Sequence, residues 1–312
     1  MSGATASTRP RGTGPDVRPE TEPAVPLTPR WWFRPVPLAR IAVFRTIAYL
    51  FIPVDVLVTT TWVKAHADVP TAWYQPLTIA RVLHLPVPTH GVVLTVQWLL
   101  VACALAAATG RAPRVLGTAV FALYFEWMVI AMSYGKVDHD RISFLVALAV
   151  LPTIGRVRFA DRRSSEAAGF AAASILVAVM LTYFMAAWAK VRFGGWDWPT
   201  GATIARAVIR RGSVFSDWTL HVPHLLPGVQ WAMLIGEFAS FVMLWWVRTD
   251  RVRTALVLGL LAFHVVTYLG LGIVFLPHCI AILSVLPWEK LVGRRRTGLD
   301  APLLDAPGPA AG

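Results

Sequence analysis

Cysteine is nearly absent from this chain: there are two, Cys103 and Cys279, among 312 residues. Both fall inside apolar runs, so neither a disulfide framework nor a cysteine-based zinc site is expected. Charge is scarce as well, with 15% Asp, Glu, Lys and Arg against 56% hydrophobic residues. Together with a mean hydropathy of +0.58, this excludes an ordinary soluble domain and implies several membrane spans. Acidic residues are the rarer sign, 17 against 29 basic, for a net charge of +12. The basic residues are divided among short loops and two tails, as topology signals are, so no nucleic-acid partner is expected. The chain also lacks Gly-x-Ser-x-Gly, a phosphate-binding glycine loop, His-Glu-x-x-His and Cys-x-x-Cys. Hydrolase, ATPase and thiol oxidoreductase chemistry is thereby disfavoured. No internal repeat is visible, which disfavours an inverted-repeat transporter.

What is present is apolar and helical in pattern. The 14 tryptophans include Trp62, Trp98, Trp188, Trp245 and Trp288 near expected span ends, as an interfacial belt requires. Residues 1–37 are rich in Pro, Gly, Ser, Thr and Arg and read as a disordered cytoplasmic tail. No apolar core follows a basic start there, so no cleavable signal peptide is expected. Residues 38–290 read as one all-α polytopic membrane domain, and 291–312 as a second disordered cytoplasmic tail. Eight spans are expected, at about 38–57, 91–109, 115–133, 142–154, 167–189, 229–247, 254–271 and 272–287. The fourth is short and the last two nearly touch, which leaves seven to nine in play. On this scheme 18 Lys and Arg fall on the side of the termini and nine on the other. That bias predicts a multi-pass protein of the cell membrane with both termini in the cytoplasm. The two long connections, 58–90 and 190–228, then share the outer side, where function is expected. Within the second, Thr200–Arg211 has an amphipathic period suited to the interface.

A charge at mid-bilayer costs about 2.5–3.5 kcal/mol on insertion scales, so each one needs a reason. Arg45 and Asp55 lie in the first span, about 15 Å apart along a helix and too far apart to pair. Glu126, Glu237 and His264 fall near mid-span. His264, Thr267 and Tyr268 share one helix face. Interhelical hydrogen bonding accounts for each of these alone; a polar cavity that binds a cofactor or relays protons would account for them together. On the outer side, Tyr134-Gly135-Lys136-Val137-Asp138-His139-Asp140-Arg141 packs five ionisable groups into eight residues. Three consecutive candidate ligands with no second histidine nearby make a poor metal site, and His221 and His224 in the next outer loop add little, so no metal is expected. His139 oriented by a carboxylate is instead a candidate acid or base. Lys190 closes the apolar run Leu181-Thr-Tyr-Phe-Met-Ala-Ala-Trp-Ala-Lys190, with Asp197-Trp-Pro-Thr-Gly201 close behind. It can be an interface anchor beside Trp188 or a base, since desolvation at a membrane boundary disfavours the ammonium form of an amine.

These segments resemble, in order, the membrane part of the vitamin K-dependent gamma-carboxylases, known in bacteria as the horizontally transferred transmembrane (HTTM) domain. Leu38–Arg45 with Asp55 is similar to the family's opening helix, and Asp138-His139 to the polar segment after its third span. Tyr183–Lys190 resembles the helix of its catalytic lysine, Asp197–Gly201 its Asp-Trp-x-x-Gly, and Phe263-His264 before Leu269-Gly-Leu-Gly272 its Phe-His helix. The resemblance covers about residues 36–290. It implies Lys190 as the catalytic base with His139 in support. It also implies a cavity of Arg45, Asp55, His264 and Tyr183 that binds a reduced naphthoquinone (menaquinone or vitamin K hydroquinone). In that family a neutral lysine deprotonates the reduced quinone, oxygen converts it to a strong base, and a peptide glutamate loses a γ-proton and gains carbon dioxide. The chain departs from the animal enzyme in three ways. It has only about 25 residues after the last expected span, one lysine in place of a tandem pair, and extra residues, including Gly194-Gly195, before Asp197. Quinone-linked proton abstraction is thus the first reading. The second is a non-catalytic membrane protein that binds lipid, quinone or a membrane or extracytoplasmic protein partner. The third is a solute or proton transporter built on Glu126 and Glu237.

Overall fold

The structure is a computed structural model that describes residues 25–135, 137–246 and 249–291. Six of its helices are long and apolar enough to cross a membrane: Leu38–Thr59, His90–Ala108, Pro113–Met132, Glu166–Gly194, Leu225–Trp245 and Asp250–Leu271. The chain is therefore an all-α, multi-pass membrane bundle, with six spans of full length where eight were expected.

The two shortfalls have a physical cause. The expected fourth span is a helix over Ile142–Val150 that tightens into a 3-10 turn at Leu151–Ile154, where Pro152 removes a backbone donor. Thirteen residues rise about 20 Å, short of a hydrocarbon core about 30 Å thick. In the expected eighth, Gly272 adopts the left-handed conformation that ends the preceding helix, and a new one begins only at Leu276 and closes at Val285. Both short helices are covered by protein, packing on each other and on the long helix at Glu166–Gly194.

In chain order the helices that frame the bundle are α1 (Leu38–Val54), α2 (His90–Ala108), α3 (Pro113–Met132), α4 (Ile142–Val150), α5 (Glu166–Gly194), α6 (Thr203–Arg211), α7 (Leu225–Ala239), α8 (Asp250–Leu271) and α9 (Leu276–Ile282). Although α4 and α9 are short, the chain still reverses at each, which groups the loops as the basic residues suggested. Arg40 at the start of α1 donates to Glu289 (2.9 and 2.6 Å), and Lys290 pairs with Asp250 at the start of α8. One end of the bundle thus carries both described termini. The other carries the two long connections.

Part of the segment expected to be a disordered tail is folded. Pro29–Trp32 forms a helical turn, and β1 (Val36–Pro37) pairs antiparallel with β2 (Ser164–Ser165), tying the starts of α1 and α5 together. Residues 1–24 and the C-terminal tail from 292 onward lie outside the described residues. The core runs through α1, α2, α3 and α4, where Phe44, Tyr49, Ile52, Leu100, Tyr124, Trp127 and Phe144 are fully buried. α8 is the least covered, burying only 11% of its span, and presents Leu258, Val265 and Val266 outward.

Candidate functional site

The site sits at the long-loop end, above the starts of α4 and α9.

Long-range contacts build it. Lys190 lies one turn before the end of α5, so the helix continues past it to Gly194 rather than ending there. Its ammonium turns inward to pair with both carboxylate oxygens of Glu237 near the end of α7, and its side chain stays 22% exposed against 9% for Glu237. The amine also lies 5.3 Å from the centre of the Trp198 ring, a cation–π contact. The glycine pair makes this possible. Gly195 has φ +64°, and a Cβ on Gly194 would come within 3.1 Å of Trp198.

Two turns below Lys190 on the same face of α5, Tyr183 hydrogen-bonds His264 Nε2 of α8 at 2.6 Å. His278 of α9 hydrogen-bonds Ser143 of α4 through Nδ1 at 2.8 Å. The two imidazole centres are 5.4 Å apart, and the Tyr183 ring lies 4.8 Å from His278. His264 Nδ1 and His278 Nε2 are both buried without a hydrogen-bond partner among the described residues. Phe263 and Phe275 pack against His264. His139 is exposed at the rim and lies within electrostatic reach of both Glu237 and His278. Tyr183 is likewise within reach of Glu237 and Cys279.

Asp55 holds the rim in place. Pro53 removes an amide from α1, and the next turn widens to i→i+5 bonding over Asp55–Thr59, with Thr60 N donating to Asp55 O at 2.8 Å. The Asp55 carboxylate, fully buried, accepts from Tyr124 (2.8 Å), Arg141 (3.0 and 2.8 Å) and the Thr59 hydroxyl. Arg141 is two residues from His139 and also faces Asp138 at 4.0 Å. Asp55 therefore acts on the site through Arg141, by fixing the 138–141 turn. Burial pushes the neighbouring Asp140 carboxyl up from its usual range, opposed by Arg141.

The structure thus brings Lys190, His139, His264 and Tyr183 into one cluster, with Asp55 one step behind. Arg45 is not part of it. Its guanidinium donates to the carbonyls of Gly155 and Val157 (2.8 and 3.4 Å) at the opposite end of the bundle, about 15 Å of helix away from Asp55. Arg114, Ile154, Gly155 and Arg156 line an open recess of about 340 Å³ at that far end, remote from the titratable cluster. Glu126 is also elsewhere, in α3, with both oxygens buried and unpartnered. Sequence reasoning missed His278 and the partnership of Glu237 with Lys190. A histidine inside the apolar run Leu276–Val285 was the available signal for the first; pairing across 47 residues left none for the second. Among the described residues no group of three or more His, Cys, Asp or Glu side chains is arranged to hold a metal ion.

No family model, curated protein or solved structure matches this chain.

Proposed function

We propose that this chain is a cell-membrane enzyme, its termini cytoplasmic, that removes a proton from a membrane-soluble reduced naphthoquinone, with Lys190 as base. The observation that carries this reading is the Lys190–Glu237 pair, drawn inward beneath Trp198 at the head of a buried Tyr183, His264 and His278 cluster. A proton shared by a lysine and a glutamate can rest on either. For Lys190 to act as a base its proton must first pass to Glu237, which would leave a neutral amine able to accept a proton. His139 at the rim is placed to exchange protons between the site and water.

The residues fit a reduced quinone in two respects: two buried imidazole nitrogens lack partners, and phenyl rings pack beside them. Such a group, when bound, would supply a phenolic O–H and two electrons for oxygen to accept. His264 and His278 would orient its oxygens, Phe263 and Phe275 would exclude water, and Lys190 would take the phenolic proton. The HTTM resemblance points the same way, while carboxylation of a peptide glutamate is the less supported extension.

A second reading has its own support. A lysine engaged by a carboxylate is a strut between α5 and α7, as a non-catalytic binder of lipid, quinone or a partner protein would use it. Lys190→Met separates the two. The enzyme reading expects purified wild-type protein to consume reduced menaquinone in the presence of oxygen and bicarbonate. It expects Lys190→Met to express and still copurify quinone but to lose that consumption. Consumption that survives the substitution, or no consumption by wild type, leaves the binder.

A further inference from the structure

The long connection after α5 is built as a platform. Gln230 of α7, fully buried, accepts from Ile204 N at 2.7 Å and donates to the carbonyls of Trp198, Pro199 and Gly201 at 2.9–3.0 Å. One side chain, whose amide carries two donors and an acceptor, thus ties down the backbone of the 198–204 turn. Farther on, the Ser213 hydroxyl donates to Leu269 O and the Ser216 hydroxyl to Gly270 O (2.7 Å), pinning the chain to the end of α8. Val208 fills the space beneath α6, 4% exposed. A segment fixed in this way has a definite outer face.

That outer face is apolar and basic together. Phe193, Trp196, Ile209, Val214, Phe215 and Trp218 are between 57% and 82% exposed. Arg206 and Arg210 lie one turn apart on the exposed side of α6, with Arg211 beside them. None of the three is in an ion pair with an acid among the described residues, and the connection 190–228 holds only Asp197 and Asp217 against five basic residues. Large rings exposed beside arginines without an acidic partner among the described residues, next to the end of the membrane-length helix α5, do not suit water. They suit an interface where rings enter acyl chains and guanidiniums meet phosphate.

We propose that α6 and the flanking segments 193–196 and 214–218 form a binding site for an anionic phospholipid, whose phosphate is held by Arg206, Arg210 and Arg211. The site does not depend on the reading of Lys190 as a base. It adjoins that residue through Trp198, so a lipid here would roof the mouth of the Lys190 cluster.

The test is lipid retention. Purified protein is equilibrated with an equimolar mixture of phosphatidylglycerol and phosphatidylcholine in detergent, and the retained lipids are quantified by mass spectrometry. Wild type retains phosphatidylglycerol over phosphatidylcholine, and the triple variant Arg206→Gln, Arg210→Gln, Arg211→Gln reduces that ratio roughly tenfold. A triple lysine variant at the same positions keeps most of it, which separates loss of charge from loss of fold. The Arg251→Gln change at the opposite end leaves it intact. Equal retention of both lipids by wild type, or an unchanged ratio in the triple glutamine variant, overturns the proposal. So does full displacement by soluble glycerol phosphate, because the rings would then contribute nothing.

Discussion

Asp55 shows how one buried charge can organise a site without touching what the site acts on. Its carboxylate has no exposure and takes donors from Thr59, Tyr124 and Arg141, so Asn at this position leaves the buried Arg141 without its closest counter-ion. Removing one partner of a buried pair costs about 3–5 kcal/mol. Thermal unfolding in detergent is expected to show Asp55→Asn as one of the most destabilising polar changes in the chain, and a variant that melts like wild type would show that Arg141 does not depend on it. The Lys190–Glu237 pair is expected to behave differently, being partly exposed. Glu237→Gln and Lys190→Met each lower the melting temperature, and the double variant lowers it by less than their sum, a coupling that a double-mutant cycle reads directly.

His66 offers a pH signal. Its ring stacks on Tyr134 at 4.0 Å, its Nδ1 is buried without a partner, and burial lowers its pKa from the ordinary value of 6.5. With the folded pKa below the unfolded one, the unfolded chain takes up the proton first. This contribution is therefore neutral above pH 6.5 and turns against folding as pH falls below it. Comparing melting temperatures at pH 7.5 and 5.5 is expected to show a larger acid-induced drop in wild type than in His66→Phe.

Among elements, the informative ones are those that sequence periodicity misjudged. Apolar period alone does not distinguish a full crossing from a short helix covered by neighbours, because burial against protein and burial against lipid select the same residues. Pro152 and Gly272 mark the two places where the distinction is made. The N-terminal strap is another element hidden by composition. It closes on α5 at Gly169, where a Cβ would come within 2.0 Å of the Arg34 carbonyl oxygen. Gly169→Val is expected to expel residues 25–37 from the bundle and open the Arg30–Trp31 bond to trypsin, while the spans stay folded. Unchanged protease resistance would show that the strap tolerates the side chain.

For the whole molecule, the chain reverses between two ends, and the direction of that axis in the cell rests on the basic bias. Single cysteines placed at Phe215 and Arg251, in a background lacking Cys103 and Cys279, report it. An impermeant maleimide applied to intact cells is expected to label position 215 and not 251. The reverse pattern would put the long connections, and with them Lys190 and its cluster, on the cytoplasmic side.

The sequence by itself determined that the chain is helical and membrane-embedded, which loops share a side, and that Lys190, His139, Tyr183 and His264 merited attention. All but Tyr183, which the family resemblance supplied, follow from local composition, because polarity in an apolar run and charge in a loop are visible without knowing neighbours. Only the tertiary structure decided which of the buried groups meet. Arg45 and Asp55 read as two separate charges of a single helix whose partners were unknown, and one caps a turn at one end while the other anchors the His139 rim at the opposite end. Glu237 stood out as a lone mid-membrane acid and becomes the partner of Lys190, and His278 joins the site from a helix too short to cross. Such pairings depend on helix crossings and on where α4 and α9 stop, quantities that no single stretch of sequence encodes.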